Sequence, residues 1–140
     1  MEIERFAPGD TEAVVALWHE VFPDDPARND PAAMVERKRA RDPELFWVAR
    51  IDGLVCGALM AGYDGVRGWL YHLAVAPGAR RQGVATALVD AAVQELHSLG
   101  CHKINLQVRE SNAGVLAFYE SLGWGVEPIV SMGRVLPDPG

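Results

Sequence analysis

Residues 2–6 open the chain with apolar Ile3 among charged neighbours, the alternation of a short edge strand. Asp10 stands where a helix cap belongs. Val14, Leu17, Trp18 and Val21 follow at i, i+3, i+4 and i+7, one apolar stripe that ends at Pro23. Asp30-Pro31 joins a capping residue to a proline in the first helical position and predicts a second helix running towards Arg41. Glu36, Arg37, Lys38 and Arg39 are expected to form its solvated face. The period then shortens. Residues 45–51 and 54–63 are strand-like, and Asp52-Gly53 between them tolerates the positive φ of a tight hairpin. Asp64-Gly65 repeats the device before a third strand over 66–75, which makes a meander. Pro77-Gly78 breaks that strand. Helical spacing returns over 80–99, with Val84, Leu88, Ala91, Ala92, Leu96 and Leu99 facing a core and Gly100 as the stop. A strand over 103–108, a helix over 112–122 closed by Gly123, and one or two strands over 124–136 complete the pattern.

The order β-α-α-β-β-β-α-β-α-β-β predicts an α/β (α+β) fold with a mixed sheet of six to seven strands and helices on both faces. A length of 140 residues suits one core, so residues 1–136 read as a single domain and 137–140 as a C-terminal tail. Hydrophobic residues at 49% and charged residues at 23% exclude extensive disorder. The longest run free of Asp, Glu, Lys and Arg, residues 68–79, is twelve residues long and holds Pro77, so no membrane span is expected. The start MEIERF lacks the basic opening and apolar run of a secretory leader, which points to the cytoplasm.

Thirteen Lys and Arg against nineteen Asp and Glu give a net charge of −6. That balance argues against nucleic acid as a partner and mildly favours cationic small molecules or basic peptides. Cys56 and Cys101 alone cannot build a disulfide framework or a four-ligand zinc site, so no metal is expected. Cys56, inside LVCGALM, reads as a buried free thiol.

The most informative stretch is residues 73–86, LAVAPGARRQGVAT. A strand ends at Val75, and a loop carrying Arg80, Arg81 and Gly83 opens directly into a helix. Such a junction turns unpaired backbone N–H groups, at the positive end of a helix dipole, towards any phosphate that arrives. Gly83 allows close approach and Ala85 keeps the first turn slim. Neither GxxxxGK[ST] nor GxGxxG is present. Taken alone, RRxGxA also suits an ordinary connection with exposed arginines.

Residues 80–85, RRQGVA, resemble the [RQ]-x-x-G-x-[GA] signature of the GNAT superfamily of N-acetyltransferases, whose matching loop holds the pyrophosphate of acetyl-coenzyme A. Residues 111–124, SNAGVLAFYESLGW, resemble that superfamily's second motif, so the likeness spans nearly the whole chain. Residues 28–31, RNDP, and 62–65, GYDG, are similar to its YpeA-like bacterial subgroup. The resemblance implies acetyl-CoA as cosubstrate, without a metal, and direct transfer of acetyl to an amine-bearing small molecule or peptide. It also implies a V-shaped splay between the fourth and fifth strands, and it leaves a homodimer open.

The implied cofactor-binding residues are Leu73, Ala74 and Val75, through backbone groups freed by the splay, and Arg80, Arg81, Gln82, Gly83, Val84, Ala85 and Thr86 in the loop. The N–H of Val75 would polarise the thioester oxygen. Asn112 is a helix cap by its position, and the resemblance adds contact with the pantetheine arm. Tyr119 is implied as the catalytic acid that protonates the departing thiolate; without the motif, Phe118-Tyr119 would be two core aromatics.

The base is unassigned. Gln107 stands where the ribosomal-protein N-acetyltransferases of the superfamily carry Glu, and an amide cannot accept the proton. Glu110 lies at a strand–helix junction. His72 is of the right chemical type but alternates with Tyr71 on its strand. His19, His97 and His102 read as surface residues. Trp18, Phe22, Trp69, Tyr71 and Trp124 are the expected acceptor groove. A non-catalytic acyl-CoA-binding regulatory module is the competing reading.

Overall fold

Two tight turns set the register of the sheet in the computed structural model, which describes residues 1–139; Gly140, the last residue of the expected tail, lies outside them. Asp52 and Gly53 take φ of +52° and +78° and join β2 (Phe46–Ile51) to β3 (Leu54–Tyr63). At the next turn Asp64 Oδ1 accepts the N–H groups of Val66 at 2.7 Å and Arg67 at 2.8 Å, leading into β4 (Gly68–Val75). Those donors, Arg67 first, hold the Asp64 carboxyl below the usual carboxylate range. β1 (Glu2–Arg5) pairs antiparallel with β2 at one edge of the sheet. At the other edge β5 (Ile104–Asn105) pairs parallel with β4, as a connection through a crossover helix requires. The order is β1-β2-β3-β4-β5.

Side chains of alternate parity on the strands serve two helical layers. Phe46, Val48, Ala58, Met60 and Ala74 share a core with Val14, Leu17 and Trp18 of α1 (Thr11–Val21) and with Met34 and Val35 of α2 (Pro31–Arg41). Gly57 and Gly68 belong to the face of α3 (Val84–Ser98). A Cβ at position 57 would come within 2.9 Å of Val84 Cγ1, and one at 68 within 2.9 Å of Cys101 Sγ and 3.1 Å of Leu96 Cδ1. Leu99, expected on the core face, follows the last helical residue and is exposed. Asp30 caps α2 by accepting the Ala33 N–H at 3.1 Å. Asp10 does not cap α1 with its side chain. Its buried carboxylate turns back to the Ala7 N–H at 2.9 Å and to Arg50 at 2.6 Å.

The contacts divide the chain into two compact units, Met1–Gln107 and Val108–Gly140. In the second, Asn112 caps α4 (Ala113–Ser121) by accepting the Val115 N–H at 3.1 Å. Tyr119 is the buried residue of that helix, its ring 5.1 Å from Phe118 and 5.5 Å from Trp124.

The expectation of six to seven strands is wrong. The described sheet has five, and the order along the chain is β-α-α-β-β-β-α-β-α. The strand foreseen over 103–108 contracts to two residues, and no strand follows α4 among the described residues. Over 124–136 the apolar content is present but the continuity is not. Gly125, Pro128 and Gly133 cut the run into short pieces, glycine adding chain entropy and proline removing a ladder donor. Val130 and Met132 are consequently 86% and 92% exposed.

Candidate active site

The two ends of β4 are bonded differently. Gly68 and Trp69 have partners on both sides, Tyr63 and Gly62 on β3 and Ile104 and Asn105 on β5. From Leu70 onward the pairing described is to β3 alone. There Ala58 faces Ala74 and Met60 faces Tyr71, so β4 spends one residue more than β3 over the same interval, a bulge at His72 and Leu73. His72 has φ +53°, a left-handed backbone that costs a non-glycine residue roughly 1 kcal/mol. Beyond the bulge the Ala76 N–H reaches the Cys56 carbonyl at 2.8 Å. Residues of an antiparallel strand turn alternately to its two edges, so Val75 turns its N–H and C=O to the far edge. Arg80 Nε meets that carbonyl at 3.4 Å.

A 3-10 turn at Pro77–Ala79 then lifts the chain into the loop before α3. Arg81 and Gly83 are both left-handed, with φ of +64° and +79°. The first helical bond runs from the Ala87 N–H to the Gly83 carbonyl at 3.0 Å, so the N–H groups of Val84, Ala85 and Thr86 have no acceptor within the helix. A Cβ at position 83 would meet nothing within 4 Å. The glycine is there for its backbone angle, and the space above the loop is open. Arg80, Arg81 and Gln82 are exposed around it.

An open cavity of about 550 Å³ lies beside the first half of β4. Trp69 and Tyr71, two residues apart and therefore on one face of the strand, form an aromatic wall with ring centroids 6.4 Å apart. Burial, with Asp64 second, raises the Tyr71 phenol. Arg37, Lys38 and Arg41 come from α2, so the supposed solvated face of that helix is partly a cavity wall. Lys38 is tied down by Asp42 at 2.7 Å and by the Ala61 carbonyl. His72 lines the cavity too. Its Nε2 lies 2.9 Å from Asp25 Oδ2, and its ring sits against Phe22 and Trp18 with centroids 5.0 and 5.5 Å away.

Trp18 is core and no part of the cavity wall, and its Nε1–H donates to the His72 carbonyl at 3.2 Å. Trp69 and Tyr71 do line a cavity; Phe22 touches it only through His72, and Trp124 packs on Tyr119. Cys56 is buried, and burial pushes its thiol up. Burial pushes the Tyr119 phenol up to about 12. Gln107 and Glu110 are exposed. The sequence carries no signal for Asp25, because nothing in Pro23-Asp24-Asp25-Pro26 says which carboxylate meets a histidine 47 residues away. Among the described residues no group of His, Cys, Asp or Glu is placed for a metal ion, and no helix is long and apolar enough to cross a membrane.

The chain matches the model of the Acetyltransferase (GNAT) family over residues 12–124. An acetyltransferase of Pectobacterium atrosepticum is 42% identical over 138 residues, covering 97% of this chain and 96% of that one. Among solved structures, Ard1 from Thermoplasma volcanium superposes with a TM-score of 0.80 at 26% identity, over 90% of this chain and 83% of that one. AAC(6')-Iy, solved in complex with a bisubstrate analogue of coenzyme A and acetylneamine, gives a TM-score of 0.79 over 97% of this chain and 98% of that one. At 20% identity it speaks for the fold alone. By the family match and the near-full-length relative, this chain belongs to the GNAT family of acetyltransferases, which move an acetyl group from acetyl-CoA to an amine.

Proposed function

We propose that this chain acts as one N-acetyltransferase domain over residues 1–136, with its acceptor amine in the cavity between α2 and β4 and its cosubstrate along the open edge of β4. The observation that carries the reading is the continuity of these features on one strand. Trp69, Tyr71 and His72 line the cavity, and the next three residues run along an edge with no described partner beyond Trp69. Backbone groups of Leu73, Ala74 and Val75 serve as the ladder for the pantetheine arm, with the Val75 N–H directed at the thioester oxygen. The N–H groups of Gln82, Gly83, Val84, Ala85 and Thr86 receive the pyrophosphate, with the Arg80 and Arg81 guanidiniums beside them. The residues present fit such an anion: open space over Gly83 and helix N–H groups without internal acceptors. Asn112 contributes to holding the arm. Tyr119, protonated throughout the neutral range, gives its proton to the departing thiolate.

The finer likeness to the YpeA-like subgroup bears on the acceptor. The two segments that carry it supply Asn29 and the Gly62, Tyr63, Asp64 run, all of them in the cavity wall. We therefore assign the subgroup's shared feature to acceptor recognition. The lining mixes Arg37 and Arg41 with Asp64 and an aromatic wall, so the chain's net charge of −6 does not describe the surface an acceptor meets. A metabolite extract incubated with the enzyme and acetyl-CoA should yield new N-acetylated amines by mass spectrometry. Coenzyme A release without any acetylated amine would sink the transferase assignment.

A further inference from the structure

We infer that His72 is the base that takes the proton from the acceptor's ammonium, and that Asp25 is the positioning residue that holds its ring. The inference rests on the proposed placement of the amine in the cavity beside β4.

An amine arrives at neutral pH as an ammonium and has no lone pair until a proton leaves. Gln107 cannot accept one, because a carboxamide is not a base at neutral pH. His72 is the imidazole on that wall, and three independent constraints fix it there. Its backbone sits at φ +53° in the bulge, which breaks the simple alternation with Tyr71. The Trp18 indole N–H holds its carbonyl at 3.2 Å. Asp25 Oδ2 holds Nε2 at 2.9 Å, with both side chains less than one-fifth exposed.

A carboxylate can only accept, so in the neutral imidazole the Asp25 contact puts the ring proton on Nε2 and leaves the lone pair on Nδ1. A left-handed non-glycine residue and an oriented imidazole are a costly way to build a wall, and strain of this kind collects where geometry serves chemistry. His72 also immediately precedes Leu73, the first residue of the edge assigned to the cosubstrate. The charged groups on the same wall are Arg37, Lys38, Arg41, Asp42 and Asp64, with Lys38 and Asp42 spent on each other.

The step balances. The nitrogen gives one proton to Nδ1 of His72, which passes it to solvent, and the freed lone pair forms the C–N bond as the C–S bond breaks. The thiolate takes its proton from Tyr119. The nitrogen's second proton leaves through solvent and restores the phenol, so one proton is released per turnover.

The test compares 2-phenylethylamine with its β,β-difluoro analogue, which has nearly the same shape but a far less basic amine. Both offer a ring to the Trp69–Tyr71 wall. His72→Asn keeps a residue that tolerates left-handed backbone and removes the base. It should slow the ammonium substrate by about 10²-fold or more and the difluoro amine only a few-fold. Asp25→Asn should move the same ratio in the same direction by a smaller factor. Circular dichroism and the thermal midpoint establish that each variant is folded, and if His72→Asn fails to fold, Asp25→Asn decides alone. Equal losses on both amines would make His72 a wall residue and overturn the base. A wild type that binds acetyl-CoA yet acetylates neither amine would instead overturn the acceptor cavity, and the base assignment with it.

Discussion

At its amino-terminal end β4 is hydrogen-bonded on both sides and so tightly packed that Gly68 has no room for a Cβ; at its carboxyl-terminal end it is bulged, left-handed at His72, and paired on one side. The first end is built for stability, because Gly68 and Trp69 pair with strands on both sides and the Gly68 N–H meets the Lys103 carbonyl at 2.9 Å. The second end has polar backbone with no strand on its far side among the described residues, an arrangement that suits the extended ligand proposed for it. One strand thus anchors the fold at one end and carries the proposed site at the other, and substitutions at the two ends should fail in different ways.

The sharpest contrast comes from the chemical side. Tyr119→Phe should reduce turnover by roughly 10²-fold while leaving acetyl-CoA affinity within a few-fold, because in the role proposed for it the proton is given only as the thiolate leaves. Steady-state rates with calorimetry check this, and full activity in the variant would return Tyr119 to a packing role. The same phenol makes a second statement. With its pKa raised to about 12, the folded state keeps its proton while an unfolded tyrosine ionises near its ordinary value of about 10. Its contribution to stability is therefore intact below about pH 10 and lost as the pH climbs towards 12, and Tyr119→Phe should remove that alkaline loss.

At the paired end, Gly68→Val should cost about 1–3 kcal/mol, the usual penalty for forcing atoms into a filled core, here against Cys101, Leu96 and Ile104. Urea unfolding measures it. The chemistry of the molecules that remain folded should be unchanged, so lost turnover at full stability would break the division of labour along β4. The smallest effect belongs to the loop. Gly83→Asp should weaken acetyl-CoA by about tenfold, or ~1.4 kcal/mol, by adding negative charge at the site proposed for the pyrophosphate. Equal affinities by calorimetry would remove the loop from the cosubstrate site.

What the sequence made legible was local. Asp52-Gly53, Asp30-Pro31 and Asn112 each act within four residues, and each forms its predicted turn or cap. The RRQGVA loop differs: close approach was the expected reason for Gly83, whereas the structure shows a left-handed backbone with open space around it. The bulge at His72 was not legible, because it exists only as an offset between β4 and β3, and no residue on either strand announces a register shift. The Asp25–His72 pair is a product of that offset. Lys38 misled for a related reason. Within α2 it belongs to a charged run, and only the arrival of β3 supplies the Ala61 carbonyl that draws it inward. The closing strands failed in the opposite way, since apolar composition over 124–136 promised pairing that broken continuity withholds.

The clamp on Lys38 has a consequence for an enzyme of this class. A protein that acetylates amines endangers any lysine of its own beside the acceptor, and Lys38 stands in the wall of the cavity proposed for it. Asp42 at 2.7 Å and the Ala61 carbonyl both draw on ammonium protons, and an ammonium so engaged offers no lone pair to an acyl group. The other two cations from α2 on that wall are arginines, whose guanidinium is a poor nucleophile. The cavity can thus carry positive charge while protecting the enzyme from its own reaction.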